Sequence, residues 1–383
     1  MSRLTFMSRV DVWTVAAFFI LLWLPLIGSL AGRDAEISES EKRELAPLPR
    51  LGAEPGDWQA LPAAMEAYYD DHMGLRDILI RSYGYLEIRW LGASPSDRLV
   101  VGKEGWLFLA DDAPIAQYRG IARFTRPELQ RWRQVLLEWR DWLAERDIAF
   151  LVVFVPNKHT IYPEFMPDSL PRVSDESQLS QLTRFLADTS DLPVLDLRAV
   201  LEAAKGQARI YHKTDTHWND VGAYAAYREI LAALAEPLPH LAPGAPIPVR
   251  YEELDGPGMG LARMVGLDEV LGERYLFLHP LRPRAAIEPE QRAVYAERTR
   301  KQLPLDMGTR DPSLPRALMI RDSFANALIP YLSESFERIL YVWERSMDPQ
   351  LVERERPDVV IFEIVERFIG KPPKQRVEAP PKP

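Results

Sequence analysis

With 383 residues, 47% of them hydrophobic, and ten tryptophans, the chain can bury a sizeable core and is not a disordered segment. A net charge of −9 leaves no basic excess to replace the counterions of DNA or RNA, which argues against broad nucleic-acid binding. The absence of cysteine excludes disulfides, thiolate metal sites and cysteine nucleophiles, and suits a chain that meets an oxidising compartment.

Val12 to Leu30 carries no charge and is long enough to span a bilayer. Arg3 and Arg9 precede it and favour a cytoplasmic N-terminus, while Arg33, Lys42 and Arg43 beyond it weaken that bias. The run reads as an uncleaved signal anchor. The competing reading is a signal peptide with Ser29 and Ala31 as the small residues before the cut. Both readings export the rest of the chain.

Gly32 to about Asp57 is charged and carries prolines, as a tether does. Leu61 to Trp90 has helical periodicity interrupted near Gly74. Leu99-Val100-Val101 and Trp106-Leu107-Phe108 flank a Lys103-Glu104-Gly105 turn. Arg126 to Arg146 forms an amphipathic helix with Leu129, Trp132, Val135, Leu136, Trp139 and Leu143 on one face.

Ala149 to Val155 is a continuous apolar run, the pattern of a strand buried on both faces. Helical patterns at Gln178–Ala187, Arg198–Ala204 and Asn219–Ala235 then alternate with strand-like runs. The strand-like runs are Pro193–Leu197, Ala317–Ile320, Ile339–Trp343 and Asp358–Ile364. This alternation predicts an α/β fold with a mainly parallel sheet covered on both faces. Ligands of such sheets sit beyond the carboxyl ends of the strands. The segments after Val155, before Asp215 and after Ile320 are expected to meet on that rim. Arg282 to Pro315 has weak periodicity and reads as an insertion or long loop, and Lys371 to Pro383 as a disordered tail.

Ser323 follows the apolar run at a strand-to-helix junction. There it serves either as a nucleophile whose new helix supplies oxyanion N–H groups, or as an ordinary helix N-cap. His217 lies two residues after Asp215 in Asp215-Thr216-His217-Trp218-Asn219. It reads either as a general base oriented by that carboxylate or as a structural histidine. Metal binding through Asp-x-His needs further ligands, for which His159 and His212 are the candidates. Asn157, Lys158 and Tyr162 follow the buried strand, and are either sugar- or oxyanion-binding groups or parts of a polar turn. Asn219 or Asp220 is placed to cap the helix that follows.

Taken together, several segments resemble the exported O-acetyltransferases of the AlgJ and AlgX type, which modify alginate and carry an SGNH-hydrolase-like domain. In chain order they are Glu41-Lys42-Arg43-Glu44-Leu45-Ala46-Pro47 and Val101-Gly102-Lys103-Glu104-Gly105-Trp106-Leu107-Phe108, then Val155-Pro156-Asn157-Lys158 with Ile161-Tyr162-Pro163. They continue with Asp215-Thr216-His217-Trp218-Asn219 and Gly222, and end with Asp322-Ser323-Phe324. The resemblance implies an SGNH-hydrolase-like three-layer sandwich behind one N-terminal membrane helix. It assigns Asp215, His217 and Ser323 as a triad, without metal or cofactor. Trp218, Arg321 and Asn326 join Asn157, Lys158 and Tyr162 as substrate or oxyanion candidates. Arg321 stands where the family's serine motif has glycine, so a cation is expected near the nucleophile.

The layout implied is a cytoplasmic N-terminus over 1–11, the anchor or signal peptide over 12–30, a periplasmic tether over 31–57, the catalytic domain over 58–370 and the tail over 371–383. The activity implied is acetyl transfer to an exopolysaccharide at the inner membrane, beside a membrane-bound O-acyltransferase that supplies acetyl groups. The rival readings are an acetylesterase with the same triad and a non-catalytic polysaccharide-binding scaffold.

Overall fold

A computed structural model describes residues 12–20, 23–24, 37–38, 43–49, 55–239, 247–287 and 304–373. The chain divides into two compact units, Met1–Pro95 with Ala262–Val270, and Ser96–Leu261 with Leu271–Pro383.

The first unit holds helices α1 (Pro55–His72) and α2 (Arg76–Leu86), the second running on into a π-turn over Glu87–Leu91. The break expected near Gly74 falls between the two helices, where Leu75 takes a left-handed conformation with φ 65°. Leu79, Tyr83, Leu86 and Trp90 recur at helical spacing and are exposed. Residues 12–20 are helical. The anchor expected over Val12–Leu30 runs on through residues outside the described ones. Among the described residues no helix is long and apolar enough to cross a membrane. Most of the tether and tail also lies outside the described residues.

The second unit is organised around one sheet. Its elements begin with the hairpin β1 (Leu99–Val101) and β2 (Leu107–Leu109), followed by helix α3 (Arg126–Ala144). Next come β3 (Ala149–Val155), α4 (Lys158–Ile161), α5 (Gln178–Thr189), β4 (Val194–Asp196), α6 (Arg198–Lys205) and α7 (Asp220–Leu234). An antiparallel hairpin of β5 (Val249–Gly256) and β6 (Glu273–Pro280) precedes β7 (Ala286–Ile287) and β8 (Leu305–Gly308). The chain closes with β9 (Arg316–Ile320), β10 (Arg338–Val342), α8 (Pro349–Glu355) and β11 (Val359–Val365).

The seven-stranded sheet has the order β4-β3-β11-β9-β10-β8-β7. Its first five strands are parallel, and β8 and β7 add antiparallel to one edge. Those two strands correct the reading of Arg282–Pro315 as a loop. The stretch contributes two short edge strands, too brief to carry an alternating pattern, with residues 288–303 between them outside the described ones. The β5–β6 hairpin was also absent from the sequence reading.

Alternation along the strands divides the core between the faces of the sheet. Phe150, Val152 and Phe154 pack with Trp132, Val135, Trp139 and Leu143 of α3 and with Leu179, Leu182 and Leu186 of α5. Leu151, Val153 and Val155 pack with Ala223, Ala226, Tyr227 and Ile230 of α7. The amphipathic face read from α3 is thus the face it buries. Its start is fixed by a capping box in which Glu128 accepts from the Thr125 N–H at 2.7 Å.

Candidate active site

The site is assembled from two segments that the sequence separates by about a hundred residues and that the fold holds in different ways.

The first is the turn after β9. The Arg321 N–H donates to the Val342 carbonyl at 2.9 Å, so the parallel ladder extends one residue past the strand. Asp322 is 4% exposed and pins the turn. Its Oδ1 accepts from the Phe324 N–H at 2.9 Å and its Oδ2 from the Val365 N–H at 2.8 Å, while its own N–H donates to Glu363 Oε2 at 2.9 Å. Burial and the Asp322 charge push the Glu363 carboxyl well up, which lets two acidic groups share this dry space. Ser323 has helical backbone angles, φ −69° and ψ −21°, and its side chain caps nothing. Among the described residues nothing accepts a hydrogen bond from the Ser323 backbone N–H.

The second segment is the loop 210–219. No strand leads into Asp215, contrary to the picture of three strand ends meeting. The loop closes on itself instead, through an antiparallel bridge between Tyr211 and Trp218 and a bond from the His212 N–H to the His217 carbonyl at 3.1 Å. Asn219 ends it by capping α7, its Oδ1 accepting from the Val221 and Gly222 N–H groups.

These segments bring Asp215, His217 and Ser323 into one hydrogen-bonded relay. Ser323 Oγ lies 2.8 Å from His217 Nε2, and His217 Nδ1 lies 2.5 Å from Asp215 Oδ1. The carboxylate can only accept, so Nδ1 carries the proton and Nε2 is left to accept the serine proton. Asp215 Oδ1 also takes the His217 N–H at 2.9 Å, and Oδ2 takes the Gly260 N–H at 2.9 Å. Burial opposes the charge on Asp215, but the bonds from His217 and Gly260 outweigh it and hold this carboxyl below the usual carboxylate range. Gly260 is needed for that approach, because a Cβ there would stand 2.4 Å from Asp215 Oδ2. The His217 side chain is 33% exposed and the Asp215 side chain 13%, so the base faces solvent and the acid does not.

Trp218 joins the two segments. Its indole N–H donates to the Phe324 carbonyl at 2.9 Å, and the Phe324 ring lies 4.8 Å from the His217 ring. The acid loop is further held by two buried charges. Lys158 Nζ donates to the carbonyls of His212, Lys213 and Asp215 at 3.0, 3.1 and 2.5 Å. Glu273 accepts from the N–H groups of Lys213 and Thr214 at 3.2 and 2.8 Å and from Thr214 Oγ1 at 2.6 Å.

The remaining candidates mostly hold loops. Asn157 is buried, donating through Nδ2 to Gln117 Oε1 and through its N–H to Glu366 Oε2. The Tyr162 hydroxyl accepts from the Ile210 N–H at 2.9 Å, at the base of the acid loop. Arg321 is 3% exposed. It donates to Asn326 Oδ1 at 2.6 Å and to the Asp322 carbonyl at 3.2 Å, and its guanidinium lies 4.6 Å from the Trp343 ring centre. Its backbone takes no left-handed φ, so a side chain is tolerated where the family has glycine. Asn326 is exposed. With its oxygen held by Arg321, its amide N–H groups face elsewhere. His159 donates through Nε2 to the Leu109 carbonyl, and His212 Nδ1 stands 4.0 Å from Glu273. Among the described residues no group of three or more His, Asp or Glu is placed to hold a metal ion.

Sequence reasoning missed Glu273, Gly260 and Arg367. Glu273 opens a strand in a region given no element, and nothing local marks it as buried. Arg367 follows the last strand, with its guanidinium 5.1 Å from the Phe324 ring centre. It lines a cleft with Thr216, Asn157 and His159. It forms no ion pair or hydrogen bond among the described residues. Its place after an apolar strand on the same rim was the available signal.

The model of the family described as "SGNH hydrolase-like domain, acetyltransferase AlgX" matches residues 99–301. That is just over half of the chain. The match includes Asp215 and His217 and stops before Ser323, whose membership of the site therefore rests on geometry. A probable alginate O-acetylase AlgJ of Pseudomonas syringae pv. tomato is 27% identical over 176 residues, covering 46% of this chain and 43% of that protein. The chain thus spans less than half the length of that relative. The protein of the same name from Pseudomonas aeruginosa is 25% identical over 342 residues, covering 81% of this chain and 80% of its own length. Among solved structures, Bacillus cereus PatB1 with a sulfonyl adduct is similar in fold. Its TM-score is 0.53 at 15% identity, covering 71% of this chain and 95% of PatB1. The chain belongs to the SGNH hydrolase-like acetyltransferase family of AlgX.

Proposed function

We propose that this protein is an exported O-acetyltransferase that moves acetyl groups onto hydroxyls of an exopolysaccharide through an acetyl-serine intermediate. The observation that carries the reading is the relay from Ser323 Oγ through His217 to Asp215, at 2.8 and 2.5 Å. His217 Nε2 takes the Ser323 proton as Oγ attacks the acetyl carbonyl carbon. The oxyanion formed accepts from the Ser323 backbone N–H, which has no acceptor among the described residues. Protonated Nε2 then gives its proton to the departing oxygen of the donor. A sugar hydroxyl loses its proton to Nε2, attacks the acetyl-serine, and Ser323 Oγ regains a proton as it leaves.

The names of the relatives, probable alginate O-acetylases, support an acidic polysaccharide as acceptor. Arg367, beside the cleft at Thr216, offers such a sugar a cation. The charge-free run over Val12–Leu30 supports a single-pass anchor in the inner membrane with residues 31–383 in the periplasm. A cleaved signal peptide would instead release the domain there. A membrane-bound O-acyltransferase partner would supply the acetyl groups. Arg321 and Asn326 serve as a supporting pair at the nucleophile turn, with the Asn326 amide the donor free to meet substrate.

The exposure of His217 favours one further reading, in which water replaces the sugar and the protein is an acetylesterase. A chromogenic acetyl ester offered to the full chain, with and without acidic oligosaccharides and followed by mass spectrometry, separates the two. Transfer predicts oligosaccharides heavier by acetyl. Acetate alone would leave the esterase, and turnover that survives Ser323→Ala would sink both.

A further inference from the structure

The acid loop presents a physical problem that its sequence does not solve. The segment His212–Asp215 belongs to no ladder beyond a single bond from the Leu107 N–H of β2 to the Lys213 carbonyl at 2.9 Å, yet it must hold a carboxylate still enough to orient His217. Its backbone groups nevertheless find partners. The carbonyls of His212, Lys213 and Asp215 accept from one ammonium, Lys158 Nζ, and that of Thr214 accepts from the Leu261 N–H at 2.9 Å. The N–H groups of Lys213 and Thr214 go to one carboxylate, Glu273. Lys158 is 2% exposed and Glu273 3%.

We propose that Lys158 and Glu273 are positioning residues for the Asp215–His217 pair, a buried cation collecting the loop's carbonyls and a buried anion collecting its amides. The inference rests on the catalytic reading of the relay.

Three features separate this from a general contribution to stability. First, an ammonium has three N–H groups, and here three carbonyls take them. None is left for a ligand, so Lys158 cannot be a substrate-binding group despite its place on the rim. Second, the shortest of the three bonds goes to the carbonyl of Asp215 itself, so any shift of Nζ moves the catalytic carboxyl's own residue. Third, the charge is held by design of its surroundings. Trp106 and Phe108 present ring faces 5.6 and 5.0 Å from Nζ, and Arg209 pairs with Glu273 at 2.5 Å.

A neutral lysine has two N–H groups for three carbonyls, so loss of the proton loosens the loop. The charged and titratable groups around Lys158 are Asp215 and Glu273, which favour the ammonium, Arg209, which opposes it, the buried His159 and His212, and Arg367, which lines the same cleft. Burial pulls the ammonium down to about 7 against the two carboxylates. The loop's grip is therefore expected to weaken toward alkaline pH.

The test compares the full-length wild type with Lys158→Met and Thr214→Val. The readouts are kcat and KM on an acetyl ester across pH, and the rate at which phenylmethanesulfonyl fluoride labels Ser323, read by intact mass. Lys158→Met is expected to lower kcat and the labelling rate about 10- to 100-fold with KM within about 3-fold, the signature of lost alignment. Its pH profile is expected to lose the alkaline descent of the wild type.

Thr214→Val, which removes the hydroxyl bond to Glu273 and the one accepted from the Met259 N–H, is expected to lower kcat about 3- to 10-fold. Wild-type kcat in Lys158→Met, a loss confined to KM, or an unchanged alkaline descent overturns the inference. If thermal melts show that Lys158→Met does not fold, wild-type kcat in Thr214→Val overturns it instead. A wild type that never labels at Ser323 removes the catalytic reading and this inference together. Labelling at an unchanged rate in Lys158→Met removes the inference alone.

Discussion

The two halves of the site are built on different principles. The nucleophile turn is an outgrowth of the sheet. Ser323 sits three residues beyond β9, the Arg321 N–H continues the ladder to Val342, and the Asp322 carboxylate accepts from the Val365 N–H at the neighbouring end of β11. The acid–base loop has no such frame. Lys158, after β3, takes three of its carbonyls and Glu273, at the start of β6, two of its amides, beside single backbone bonds from Leu107 and Leu261. A strand end is positioned by many cooperative bonds, so one substitution moves it little. A loop gripped by two side chains depends on each of them. The halves should therefore respond differently to mutation.

The largest effect is expected where the chemistry is broken outright. Asp215→Asn should lower kcat on an acetyl ester about 10⁴-fold while the thermal melt moves little, because the amide presents the wrong partner to Nδ1. Retained activity would show that the loop orients His217 without its carboxylate.

Next comes Gly260→Ala. The added methyl would need the space of Asp215 Oδ2, 2.4 Å away. A kcat loss of about 10- to 100-fold is expected, with KM nearly unchanged. The same steady-state measurement on Arg321→Gly, in the sheet-borne half, should show less than about a 10-fold loss. An equal loss at both positions would erase the contrast.

The link between the halves is Trp218. Trp218→Phe keeps an aromatic ring but loses the pyrrole part of the indole and with it the bond to the Phe324 carbonyl. Chemical denaturation should register about 1 to 2 kcal/mol.

The last effect is one of pH and touches stability, not the alignment of the relay. His159 beside the acid loop is buried, and burial lowers its pKa from 6.5 to about 3. Between those values the unfolded chain binds a proton that the folded chain refuses. Stability should therefore fall as pH drops from 6.5 toward 3, by about 1.4 kcal/mol per pH unit for this group. His159→Gln should flatten that slope in acid denaturation. An unchanged slope would place the sensitivity elsewhere, with His212, lowered to about 4, the next group to replace.

Much of the frame was legible because it is written in local patterns. The run Ala149–Val155 is apolar at every position since both of its faces are covered, and the face of α3 with Trp132, Val135 and Trp139 repeats at helical spacing. Edge strands of two and four residues at Ala286–Ile287 and Leu305–Gly308 are too short to show a period. The β5–β6 hairpin was not read at all.

For the site, the sequence by itself determined which side chains have the right chemistry. It supplied an acid and a base two positions apart and a serine after an apolar strand. Tertiary structure alone decided that they meet, and what the other rim residues do. Lys158, Asn157, Tyr162 and Arg321 have side chains that suit substrate binding equally well. Burial turned their donors and acceptors inward, onto backbone groups and side chains that no sequence pattern marks. A polar side chain buried without partners is costly. The fold therefore spends these residues on holding the loops, and under the proposed function leaves His217, Asn326 and Arg367 to face the substrate.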